Sequence, residues 1–339
     1  MKPLARRRRR RRLRALVSVA VLAAAVALLM RAIGLDGMRE LGRRLVQADP
    51  RLLLLAAGVN LARYGLWALR WQWIMQRVAR LRWAIAFRSL MVSVFLNTVV
   101  PAARPLGGVI RARLAARHTR SAAGPYFGGT LVDQFGYSIV SGLVGAACLP
   151  WAFVGSGGPD PGRGLMPWIL GGLLVSMGGA LIHPGLRSRL GAFMERRLPN
   201  ARDTMAGTAR AARQVLGRPL TYPLIIFGGT AVWMLNVVVL WIAGRAVGVP
   251  CSIEAAAAAW ALGSLAGSLS GTPGGAGTTE GAAIIPLVRE GAAAPEALAA
   301  VILARGLHYL SALLIGGACF LARPAGSGPL TEAVTEEKS

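Results

Sequence analysis

Thr272 to Glu280, TPGGAGTTE, is a Pro/Gly hinge that ends on an acid inside one of the most apolar parts of the sequence. No helix passes intact through Pro273, Gly274, Gly275 and Gly277, so the stretch frees backbone groups that lipid cannot satisfy. Such a break is tolerated where it faces protein or a wet cavity. A second broken stretch, Asn97 to Arg113 (NTVVPAARPLGGVIRAR), repeats the Pro then Gly-Gly pattern in the other half, with arginines in place of the glutamate. Two interrupted apolar segments at matching places point to a site built from discontinuous helices.

Composition agrees. The 339 residues are 54% hydrophobic and only 16% charged, with a mean hydropathy of +0.51, which fits a polytopic helical membrane protein rather than a soluble fold of this size. The net charge of +25 sits mostly on arginines in short segments between apolar runs, where it sets topology and touches anionic headgroups. Nucleic acid is therefore not an expected partner. Cys148, Cys251 and Cys319 have neither metal-ligand spacing nor a pairing pattern, and no metal or cofactor is expected.

Arg6 to Arg12 is an unbroken arginine run, and Ala15 to Met30 after it is uncharged; together they read as a retained first helix behind a cytoplasmic polybasic tail, residues 1–14. Leu52 to Met75 is the next span. Its Asn60, Arg63 and Arg70 share one helical face, with Trp67, Trp71 and Trp73 expected as an interface belt. Arg70 is expected to snorkel, and Arg63, deeper in the run, to face an interior cavity. Ser89 to Val100 has only 12 uncharged residues before Pro101, well short of the ~20 that cross a bilayer, and suits a half-helix that turns back.

Gly124 to Val154, Leu165 to Ile182, Leu220 to Ala243 and Ala297 to Leu321 read as further spans, with Ala255 to Gly271 running into the hinge. His183 to Arg218 carries eight arginines and reads as a cytoplasmic amphipathic segment. Charge placement decides between threadings. If Ser89 to Val100 dips in and returns, both arginine-rich segments fall inside, as the positive-inside rule requires. The expected fold is all-α, about six crossing helices plus two re-entrant broken-helix hairpins entering from opposite faces, a possible inverted repeat. Residues 15–323 form one membrane domain in the cell membrane, with both termini cytoplasmic and residues 324–339 a short disordered tail.

The chemistry follows from the breaks. A half-helix N-terminus is a ready anion site, and glycines let a phosphate approach the backbone. Gly107, Gly108, Gly274, Gly275 and Gly277 are candidates for that approach, and Arg104 and Arg111 for charge-assisted bonds to a lipid phosphate. Pro101 and Pro273 are the candidate hinges. Asp133 and Glu280 are the acids deepest in apolar sequence, so pairing of Glu280 with Arg305, or of Asp133 with Arg63, is expected, as structural staple or as gate. There is no G-x-S-x-G, no H-E-x-x-H, and no P-loop lysine, so no enzymatic role is expected.

Ser270 to Ala282, SGTPGGAGTTEGA, resembles the P-G-G-x-G-x-x-E signature of the lysylphosphatidylglycerol synthase transmembrane region, a flippase-like family. The series Asn97, Pro101, Arg104, Gly107, Arg111 resembles its earlier N...P...R...G...R element, and Arg305 falls where the last helix of members typically has an arginine. Gly108, Gly129 and Thr130 depart from the charged residues that members often carry there, and the interval from Pro101 to Arg104 is longer by one. The resemblance implies a lipid-handling membrane domain, which in bifunctional members moves aminoacylated phospholipid between leaflets. About 16 residues follow Arg323, too few for the synthase domain, so lysyl transfer is not expected. Two functions remain open: binding and flipping of a phosphate-bearing lipid, or presentation of lipid or lipid-linked sugar to a lipid-modifying partner enzyme. The sequence leaves the oligomeric state open.

Overall fold

A computed structural model of the chain describes residues 36–76, 78–99, 106–119, 121–148, 201–269 and 275–322. The first span, Leu165 to Ile182, Pro101, Arg104, Pro273, Gly274 and both terminal tails lie outside the described residues. The described part is helical throughout, with no strand.

A short charged helix, α1 (36–46), precedes α2 (Pro50–Met75), α3 (Trp83–Val99), α4 (Leu106–Thr119) and α5 (Ala123–Cys148). Then come α6 (Ala201–Leu216), α7 (Thr221–Ala246), α8 (Ile253–Leu269), α9 (Thr278–Arg289) and α10 (Ala294–Ser311). A π-helical turn, Ala312–Gly316, joins α10 to α11 (Gly317–Leu321) in one rod. Four helices among the described residues are long and apolar enough to cross a membrane: α2, α5, α7 and the α10–α11 rod, with 26, 26, 26 and 28 residues.

Each pair of long helices brackets a hairpin of two shorter ones. The order long, short, short, long runs 26, 17, 14 and 26 residues from α2 to α5, and 26, 17, 12 and 28 from α7 to α11. At 17 residues, α3 and α8 rise only about 25 Å, less than a typical hydrocarbon core. In the second hairpin Gly263 faces Ala283 and Gly267 faces Thr279, the register of two antiparallel helices.

α2 runs antiparallel to both α5 and α7, which run the same way: Gly136 of α5 meets Ile225 of α7, and Val140 meets Gly229. Arg70 and Trp71 of α2 meet Asp133 and Thr130 of α5, while the Asp49 amide ahead of α2 bonds the Ala246 carbonyl at the end of α7 at 2.8 Å. That second contact marks one face of the bundle. The Ser252 amide bonds Glu290 at 2.8 Å and Arg44 pairs with Glu296 on the same side, so α8 and α9 open there. The first hairpin opens on the other face. Its Ala86, Ala115 and Ala116 pack with Met75 at the end of α2 and Tyr126 at the start of α5. The two hairpins therefore point into the bundle from opposite faces.

α3 starts at Trp83, six residues ahead of the span expected at Ser89, and so includes Arg88. The charge is accommodated because Arg88 donates to the carbonyls of Cys319 and Ala322 at the free end of α11, where helix carbonyls lack partners. The expected tryptophan belt is also corrected. Only Trp73 is well exposed; Trp71 is fully buried and donates to Thr130 Oγ1, and Trp67 stacks on Tyr137 of α5. Trp67 and Trp71 stand one turn apart on the face that carries Arg63 and Arg70, so helix packing draws them inward.

Candidate functional site

Asn60, Arg63 and Arg70 do share one face of α2, and all three are buried. Their partners divide them into two clusters.

The first cluster lies between α2, α4 and α5. Asp133 receives Arg70 Nε at 3.0 Å on one oxygen and Arg111 Nη2 at 2.9 Å on the other. Both arginines and the aspartate are at most 2% exposed. Rings surround them: the Arg111 guanidinium lies 4.5 Å from the Trp71 ring centre, and that of Arg70 lies 5.1 Å from Tyr137. One carboxylate thus serves two guanidiniums. Arg111 Nε and Nη1 and Trp67 Nε1 have no hydrogen-bond partner among the described residues, although buried donors are normally satisfied. The expected pairing of Asp133 with Arg63 does not occur, because Arg70 lies two turns along α2, level with Asp133. Arg70 does not snorkel either, since its charge is bound inside.

The second cluster gathers on α2, α7, α8, α9 and α10. Arg63 donates through Nε and Nη2, at 3.2 and 2.9 Å, to Asn60 Oδ1, and its guanidinium stacks 4.0 Å from the Tyr64 ring centre. Asn60 Nδ2 in turn donates to Ser311 Oγ at 2.9 Å. Asn236 donates its amide to Val232, so its carbonyl oxygen accepts from His308 Nε2 at 2.9 Å. Trp260 meets His308 edge-on.

Glu280 pairs with Arg305 as expected, at 2.7 Å. Its second oxygen accepts from the Gly277 amide at 2.7 Å, which caps α9. Gly275 and Gly277 hold φ of 71° and 81°, a conformation that strains any residue with a Cβ. A Cβ on Gly275 would also stand 2.8 Å from the Gly267 Cα. Gly275 therefore lets α8 and the start of α9 meet, and the Gly277 donor is already taken by Glu280.

Gly107 and Gly108 are used in the same way. A Cβ on Gly107 would collide with the Asn97 amide, and one on Gly108 would stand 2.5 Å from Gln134 Oε1. Small residues thus bring α4 close to α3 and α5. Gly129 packs against Met75, and Thr130 takes the Trp71 bond. Sequence reading missed the roles of Arg70, Trp71, Ser311 and Tyr64. The spacing of Arg63, Trp67, Arg70 and Trp71, at i, i+4, i+7 and i+8 on one face, was the available signal for the first two.

These features define a polytopic helical membrane protein with ionised groups sealed inside its bundle. Residues 15–316 match the family model of the lysylphosphatidylglycerol synthase TM region, and the chain belongs to that family. No curated protein matches the chain.

Proposed function

We propose that the protein binds a phosphate-bearing lipid between its two hairpins and moves it from one leaflet to the other. Each hairpin is taken to enter the membrane from its own face without crossing it. Membership of a flippase-like family supports the lipid class, and the repeated order of helices with opposed hairpins supports alternating access. The observation that carries the reading is the buried Arg70–Asp133–Arg111 cluster, in which Arg111 keeps two donors without a partner among the described residues. A lipid phosphate takes such donors as strong charge-assisted bonds. Arg104, in the same segment as Arg111, is assigned to the headgroup as well, and the Glu280–Arg305 pair to gating.

Native mass spectrometry of the detergent-purified chain, with lipidomics of what stays bound, tests the binding. Wild type is expected to retain a phosphate-bearing lipid that Arg104→Ala loses; bulk lipid carried equally by both would overturn the reading. Leaflet exchange of that lipid in proteoliposomes tests translocation. Binding without exchange would favour presentation of the lipid to a partner enzyme.

A further inference from the structure

Among the described residues the buried arginines are Arg63, Arg70, Arg111 and Arg305, and the carboxylates that meet them are Asp133 and Glu280. Glu280 offsets Arg305. Asp133 is shared by Arg70 and Arg111, which leaves one positive charge in that cluster. Arg63 leaves another, since Asn60 and the Tyr64 ring are neutral and no carboxylate among the described residues pairs with it. The other acidic residues of the chain lie outside its apolar runs. One excess charge therefore lies at Arg63 and another in the Arg70–Asp133–Arg111 cluster, whose Arg70 stands seven residues, about 10 Å of helix rise, along α2 from Arg63.

We infer that the site takes a headgroup carrying two negative charges, a phosphate monoester or a diphosphate, and rejects the cationic aminoacyl headgroup. The inference rests on the lipid-binding reading above and narrows it. A buried charge without a counter-charge is costly, and a ligand that supplies the counter-charge is held in proportion to what it offsets. A phosphate monoester carries roughly −1.5 to −2 near pH 7, whereas a phosphodiester supplies a single charge. A lysyl ester adds positive charge to a site that already has an excess.

The test is competition between defined lipids for the purified full chain, read by native mass spectrometry. The probes are phosphatidic acid, diacylglycerol pyrophosphate, phosphatidylglycerol and lysylphosphatidylglycerol. Wild type is expected to prefer either of the first two over phosphatidylglycerol by about tenfold, the effect of one charge-assisted contact, and to bind lysylphosphatidylglycerol least. Arg63→Gln removes that preference and Arg63→Lys keeps it. Should Arg63→Gln fail to fold, Asn60→Asp serves. It places a carboxylate where Asn60 Oδ1 already accepts from Arg63, so the lipid-free protein melts higher while the preference is lost. A purely structural Arg63 would raise the melting point and leave selectivity unmoved, which overturns the inference. Equal retention of phosphatidic acid and phosphatidylglycerol, lost in Arg104→Ala, overturns it too but leaves the phosphate-lipid reading standing. If lysylphosphatidylglycerol bound as well as the anionic lipids, the inference would fall while the phosphate-lipid reading would stand.

Discussion

Glu280 Oε1 lies 2.7 Å from Arg305 Nη1, and this pair fastens the start of α9 to the last long helix. Because the other Glu280 oxygen caps Gly277, one side chain sets both the hinge and its docking. Glu280→Gln leaves the Arg305 guanidinium in the bundle without its carboxylate, at an expected cost of about 3–5 kcal/mol. Glu280→Gln with Arg305→Met should regain much of that stability, while leaflet exchange stays lost if the pair gates the site. Thermal unfolding of the single and double variants in detergent, beside the exchange assay, separates staple from gate.

Asp133→Asn strands two guanidiniums at once. It is expected to be at least as damaging as any single charge removal in the bundle, again about 3–5 kcal/mol. Asp133→Asn combined with Arg70→Met should recover part of the loss by removing one of the stranded charges. Tryptophan fluorescence during thermal unfolding is a direct reporter, since Trp71 stacks on Arg111 and bonds Thr130.

Two glycine substitutions should differ. A Cβ on Gly316, in the π turn, would stand 2.6 Å from the Met91 carbonyl oxygen, part of the α3 backbone, which cannot move away alone. Gly316→Ala is expected to cost about 1–3 kcal/mol. The obstacle to a Cβ on Gly108 is the end of the Gln134 side chain, which can swing aside, so Gly108→Ala should cost less than about 1 kcal/mol. Equal shifts in melting temperature would contradict this account.

Outside the membrane helices, Arg43 and then Arg44 bond Glu40 and hold its carboxyl down from 4.5 to about 2. A carboxyl depressed on folding contributes stability above its unfolded value, and that stability is lost as pH falls through the folded value. The gap in melting temperature between wild type and Glu40→Gln should therefore be constant above about pH 5 and close toward pH 2. A gap that instead widened on acidification would reverse the sign and refute the linkage.

Much of this was legible in the chain because apolar run length and arginine placement are local properties. Runs of bilayer length named the four long helices that the structure describes, and the Pro/Gly breaks named two hairpins. The two hairpins do point into the bundle from opposite faces, as the matched breaks led one to expect. Spacing along α2 placed Asn60, Arg63 and Arg70 on one face, and the depth of Glu280 in apolar sequence signalled a buried pair with Arg305.

The sequence by itself determined an all-helical membrane bundle with interior charge, since lipid admits no unpaired backbone and few ionised side chains. Tertiary structure alone decided which charges meet. Asp133 pairs with Arg70 and Arg111 rather than Arg63 because the register between α2 and α5 sets its height, and register depends on contacts such as Met75 against Gly129. It also decided that Gly107, Gly108 and Gly275 serve close helix approach, since a small residue reads alike in sequence whether a helix or a ligand comes near it.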